Sequence, residues 1–306
     1  MTETSIQENE LYPTATLDTP FSVSKNDDAK AFDGTTQKGK KDGLFRTCMS
    51  SIRSAHFTAN KLRAALVLMG VFTDVALYTH SLTMFYVVTR QVENKLFADE
   101  EFLATLTPEE ICMLEKIKTM QFQFTTGYEK DLQVLYGKLH PNLSWQMCVE
   151  KVVRSTPIVQ EYQAHIKNMT KASELAGAVF VLWGALIIGG GAMIQPKAKK
   201  LVGADAVNVF ESIIGPSREA RRALFIQTWD SLAENSSLAA HEVQESAKKC
   251  MEFNNDMMGK GSKANPWWLK YVILLCFIFT CCILYFIYES WASSASTKSY
   301  LALSEL

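Results

Sequence analysis

The chain has 306 residues, 48% of them hydrophobic, and its 31 basic and 32 acidic side chains leave a formal net charge of −1. That balance excludes nucleic acid as the main partner, because a protein that tracks phosphates carries a basic excess. The seven cysteines include no CxxC pair and no Cys/His ligand spacing, which points to a reducing compartment and away from structural zinc.

Residues 1–42 are rich in Thr, Ser, Asp and Lys, and their last part, DGTTQKGKKDG, has no helical or strand period, so a disordered leader is expected there. The start MTETSIQENE lacks the basic residues and apolar stretch of a signal peptide. The N-x-S/T triplets at Asn142, Asn168 and Asn235 therefore carry little meaning, since they matter only in a lumen.

From Leu44 onward the pattern is helical, and residues 43–255 read as one all-α domain. Cys48, Ile52, Ala55 and Ala59 form one apolar face, with His56 beside it. Thr73-Asp74 caps an amphipathic run through Tyr78, Leu82, Phe85 and Val92. Thr107-Pro108-Glu109-Glu110 has a capping Thr, Pro at the first helical position and Glu three residues after the cap, which predicts a helix from there towards Gly137. Thr156-Pro157 opens another through Tyr162 and Ile166. A glycine-bearing helix starts near Ser173 and should be interrupted at Pro196. Gly215-Pro216-Ser217 precedes a long final helix, roughly Arg218 to Phe253. No convincing period-two strand occurs.

Two apolar runs stand out. Leu175–Ile194, LAGAVFVLWGALIIGGGAMI, carries no charge or histidine and reads as the central helix of a bundle, with a second membrane span as the alternative. Its glycines, Gly177, Gly184 and Gly189 to Gly191, each cost roughly 1 kcal/mol of helix stability against Ala, so a kink, a packed helix or a flat bound ring is expected there. Residues 256–268 read as a linker, 269–288 as a transmembrane tail anchor entered through Trp267 and Trp268, and 289–306 as a short tail. Lys260, Lys263 and Lys270 precede the span and only Lys298 follows it closely, which places the helical domain on the cytosolic side of an endoplasmic reticulum or other intracellular membrane. Cys276, Cys281 and Cys282 inside it read as lipid-facing filler, with palmitoylation as the alternative.

Of the five histidines, His56 lies beside an apolar helix face and has Asn60 one turn later on the same face, able to orient the ring nitrogen that does not bind metal. No HxxxH or ExxH pair suggests a di-iron or zinc site. The segment IRSAHFTANKL, followed by Tyr78, Leu82, Tyr86 and Val92-Glu93, resembles the proximal helix of the haem oxygenase family and the helix after it. Thr156-Pro157 with Tyr162 is similar to that family's TP-x4-Y stretch. The glycine-bearing helix resembles its distal helix, GDLSGGQ, with Gly190-Gly191 at the glycine pair. FIQTWDSL from Phe225 falls where the family has a tyrosine- and arginine-rich helix, and the carboxy-terminal anchor completes the likeness over residues 44–253 and beyond.

The resemblance implies an all-α, haem oxygenase-like bundle with a C-terminal transmembrane helix. His56 would be the axial iron ligand, Asn60 its neighbour, and Gly184, Gly190 and Gly191 the close backbone approach to the other ring face. Arg53 and Arg222 would hold the haem propionates. Haem would be both substrate and prosthetic group, with O2 and an NADPH-dependent flavoprotein reductase as partners, and the products biliverdin, CO and iron. The departures bear on activity. The family's distal Asp, which orders a proton-delivering water, is Ile187 in the glycine-pair register or Ala185 when the single Gly184 is aligned. No catalytic residue can be assigned. The family's Glu one turn after the axial His is Asn60, an early distal Tyr is Val181 or Val179, and an Arg after Arg222 is Ile226. The alternatives are a haem binder that has lost catalysis, or a tail-anchored interaction module faintly resembling the Bcl-2 family's Trp-Gly helix, although Ala185 and Val71 stand where that family expects Arg and Asp.

Overall fold

The computed structural model describes residues 43–56, 70–211, 213, 217–232, 237–261, 270–271 and 274–288. The expected leader, 1–42, and the short tail, 289–306, lie outside the described residues, as does most of the expected linker. Among the described residues there are helices and turns and no strand, so the fold is all-α.

Local chemistry accounts for most of the helix starts. Helix α1 spans Leu44–His56. Helix α2, Val75–Phe97, is capped by Asp74, whose carboxylate accepts from Ala76 N at 2.8 Å and Leu77 N at 3.1 Å. Short α3, Glu100–Thr105, is capped by Asp99. Helix α4, Pro108–Lys118, has the complete capping box, Thr107 Oγ1 accepting from Glu110 N while Glu110 accepts from Thr107 N.

The helix expected to continue from α4 to Gly137 instead breaks at residues 119–124, where Gln121 adopts φ 54°. It resumes as α5, Thr125–Leu139, whose N-cap Phe124 has no side-chain cap bond of its own. Glu93 from α2 supplies the cap: its buried carboxylate accepts from Phe124 N at 2.7 Å, Thr125 N at 3.1 Å and the Thr125 hydroxyl. Helix α6, Trp145–Ser155, not anticipated from the sequence, is capped by Ser144, whose hydroxyl accepts from Met147 N at 3.3 Å, and α7, Pro157–Lys167, follows as expected from Thr156-Pro157.

Helix α8, Ala172–Gly184, is the hub, buried on nearly every side from Ala172 to Trp183. Ala172–Gly189 is long and apolar enough to cross a membrane, but 67% of it is buried inside the bundle, as a core helix would be. Helix α12, Ser237–Asp256, lies along α8, and α1 lies along α12. The approach is close at Gly177, where an added Cβ would stand 2.5 Å from Ser246 Cβ and 2.6 Å from Ala247 N. Ser246 Oγ donates to Glu174 O at 2.6 Å across the same contact.

After Gly184 the chain widens into one π-type turn, Ala185–Gly189, closed by Gly190 N donating to Ala185 O at 2.9 Å. It restarts as α9, Gly191–Val202. Pro196 does not interrupt the chain as expected; it sits inside α9 on the exposed side, where a carbonyl left without its amide partner can be hydrated. A 3-10 turn, Ala204–Ala206, leads to α10, Asn208–Glu211. The expected final helix is two, α11, Arg218–Leu232, and α12, with a π-type turn Met257–Gly261 after the second. Leu274–Tyr288 form a last apolar helix, α13, with exposed side chains including Phe277, Phe279 and Phe286.

Candidate functional site

The site expected from sequence would lie between α1 and the glycine-bearing segment, so the anchoring of each decides its geometry. Helix α1 is pinned at its start by Asp230 of α11, whose Oδ1 accepts from Phe45 N at 2.9 Å. Gly43 allows this: an added Cβ would fall 2.3 Å from Asp230 Oδ1. The Phe45 ring meets Phe180 of α8 edge-on at 5.9 Å and Phe225 of α11 at 6.3 Å. Cys48 and Ile52 are buried on the next turns. Burial and the nearby Asp230 carboxylate push the Cys48 thiol up to about 12, so it behaves as a small hydrophobe.

At the far end of α1, Arg53 is exposed and His56 is the last helical residue, with its ring outside the described side chains. Asn60 lies outside the described residues altogether. Among the described residues no group of three His, Cys, Asp or Glu could hold a metal ion. A haem iron needs only one axial side chain from the protein.

On the glycine-bearing segment the glycines divide by what surrounds them. Gly191 is buried, and an added Cβ would meet Leu186 O at 2.3 Å and Ile213 Cδ1 at 2.4 Å, so it serves packing. Gly190 is half-buried, with only the flexible Ile194 side chain close to it. Gly184 touches the Phe225 ring at ordinary contact distance, 3.4 Å. Gly189, which the sequence placed in the glycine run but the resemblance did not assign to the ring face, is exposed, and an added Cβ would meet nothing nearer than Gly184 O at 3.7 Å.

Ala185, Gly189 and Met193, the last 70% exposed, thus form one open stripe on this segment, while Ile187 is buried at 6%. The π-type turn carries the chain from Ala185 to Gly189, and Gly184, one residue before it, falls off the stripe against Phe225. The signal for this in the sequence was the run of three glycines after an uninterrupted apolar helix. A stripe with a missing Cβ at its centre and no charge along it fits the face of a flat apolar ring.

No family model matches the chain, and no curated protein matches it in sequence. Solved structures do. Haem oxygenase 2 from Chlamydomonas reinhardtii, crystallised without haem, superposes with a TM-score of 0.58 at 18% identity, covering 73% of this chain and 99% of that one. Haem oxygenase-2 from Synechocystis sp., in complex with haem and NO, superposes with a TM-score of 0.51 at 18% identity over 71% of this chain and 84% of that one. The fold is haem oxygenase-like.

Within this haem oxygenase-like fold the remaining sequence-derived residues take plain structural places. Arg222 is exposed on α11, and its neighbour Arg221 lies over the Phe122 ring at 5.8 Å. Tyr162 is a core residue stacked on Phe253 at 4.8 Å. Tyr78 is buried and its phenol is pushed up by that burial, with Asp131 adding to it. Glu93 is also raised by burial, against the pull of its amide donors, and its geometry is that of a helix cap.

Proposed function

We propose that this chain is a haem-binding protein built on the haem oxygenase-like fold, in which cleavage of haem to biliverdin, CO and iron is slow. The observation that carries the reading is the open stripe of Ala185, Gly189 and Met193, which admits a flat ring but offers it no acid. When bound, haem supplies the iron and the oxidisable ring, and O2 and electrons from an NADPH-dependent flavoprotein reductase are the other reactants. His56 would hold the iron through its ring, and Asn60 lies four residues beyond it in sequence. Gly184, Gly189 and Gly190 give backbone clearance on the other ring face. Arg53 and Arg222, both exposed, suit the propionates at a ring edge open to solvent.

The burial pattern favours one of the two alignments for the distal acid. Ala185 is exposed on the stripe, whereas Ile187 points into the core. With a methyl group at the stripe position, no side chain there holds a water or passes a proton, which removes the general-acid assistance that such chemistry draws on, typically worth 10²–10⁴-fold. Residues 269–288 anchor this domain to an intracellular membrane facing the cytosol; the exposed apolar helix Leu274–Tyr288 supports that reading.

The test is a haemin titration of the full-length chain in detergent, beside His56→Ala, read at the Soret band. Saturable binding with an axial spectrum lost in the variant is the expected result. Binding indifferent to His56 would overturn the proposal. Flotation of the full-length chain with liposomes, compared with a chain ending at residue 261, tests the anchor.

A further inference from the structure

A second site lies away from this stripe and shares no residue with it. Helices α2, α6 and α7 enclose an open groove of about 510 Å³, within the size range of small-molecule sites. Val87, Val149 and Val153 supply apolar wall, and Gln91, Asn94 and Gln163 line it with amides. Two guanidinium groups reach it, and they differ in state. Arg154 is neutralised by Glu150, Nη2 to Oε2 at 2.9 Å. Arg90 has no carboxylate partner among the described residues: its Nη1 donates to the Tyr86 hydroxyl at 3.2 Å, and its Cζ stands 6.0 Å from the Tyr86 ring centre.

Tyr86 is itself held fast. Its hydroxyl donates to Glu129 Oε1 at 3.0 Å, and its ring meets Trp145 at 6.0 Å and Tyr128 at 6.3 Å. Arg90 therefore leans on a fixed support, with most of its five N–H donors uncommitted and the Glu129 carboxylate reached only through the Tyr86 hydroxyl. We infer that this groove is a binding site for a small monocarboxylate with an apolar body, its head on Arg90 and its body along the valines. One guanidinium without a direct ion pair suits a monoanion rather than a polyphosphate. The carboxylate at the rim, Glu150, is committed to Arg154, which leaves no donor set for a metal ion.

The experiment uses the full-length chain in detergent with 4-phenylbutyrate as the probe, followed by calorimetry, and 4-phenylbutyramide as its neutral isostere. The expected result is saturable 1:1 binding of the acid, none of the amide, and affinity weakened about tenfold or more in Arg90→Gln, the usual scale for a lost charge-assisted hydrogen bond. Glu150→Gln, which frees Arg154, should tighten binding several-fold; because it leaves Arg90 in place, it also tests the site if Arg90→Gln misfolds. Absence of saturation at millimolar acid, equal binding of acid and amide, or binding indifferent to both substitutions would overturn the inference. So would displacement of the probe by stoichiometric haemin, which would put it on the ring-binding stripe instead. Failure of haem binding itself leaves this test unaffected.

Discussion

Asp230 accepts a hydrogen bond from the backbone N–H of Phe45 at 2.9 Å, so the first turn of α1 is held by a carboxylate 185 positions further along the chain. Gly43 is the only residue type that fits beneath that carboxylate. Asp230→Ala should cost about 1–2 kcal/mol, the usual scale for a lost cap, and Gly43→Ala should also destabilise because its Cβ would displace the acid. Thermal unfolding of the two variants and their double mutant checks this; the double mutant should lose little more than either single, since both remove one contact.

Ala185 and Ile187 separate the two alignments of the distal acid. Ala185→Asp should fold normally and raise the rate of haem cleavage under a reductant, measured as biliverdin formed. Ile187→Asp should destabilise by several kcal/mol, because it buries an unpaired carboxylate, and unfolding in urea would register it. If Ala185→Asp leaves the rate unchanged while haem still binds, the missing acid is not what limits turnover.

Gly189 and Gly191 make a paired test of the stripe. Gly191→Ala should lower the melting temperature, since its Cβ would collide with Leu186 O. Gly189→Ala should leave the protein as stable or up to about 1 kcal/mol more so, as Ala is the better helix former, while weakening haemin binding by intruding on the ring face. Melting curves and Soret titrations on both variants decide it.

Glu93 gives the stability curve a definite slope. Its carboxyl is raised by burial, so the folded state takes up its proton more readily than the unfolded chain does. The free energy of unfolding should then fall as pH rises from the ordinary carboxylate value through the folded pKa, and level off above it. Asp131, raised for the same reason while it accepts from Asn208 N and Val209 N, adds to this. Asp205 and Glu242, held down by Lys138 and Lys171, act in the opposite sense, but both are exposed to screening. Urea unfolding of the wild type and Glu93→Gln across pH 4–8 should show a shallower slope in the variant, while Glu93→Ala should be the least stable, leaving the α5 donors unpaired.

The helix starts that a sequence can show are those whose caps lie within three residues: Asp74, Thr107 with Glu110, and Ser144. The break at 119–124 was hidden because the cap of α5 comes from Glu93, on another helix. The division of the glycines was hidden for a similar reason, as Gly177 and Gly191 answer to Ser246 and Ile213, which only the fold brings near. The apolar run was legible as a buried central helix, whereas the exposure of Ala185 and the burial of Ile187 needed the fold. Pro196 misled because a proline is read as a stop, and its tolerance depends on facing water.

The cap that Asp230 places on α1 also orders events during synthesis. The helix that ends in His56 emerges early from the ribosome with its first turn unsatisfied, and the acid that completes it arrives only when most of the chain has been made. Glu93 and Asp131 work in the other direction, each already in place when the start of the later helix that it closes is made. Amino-terminal fragments should therefore hold α1 loosely, and its first turn should firm up only once α11 has docked.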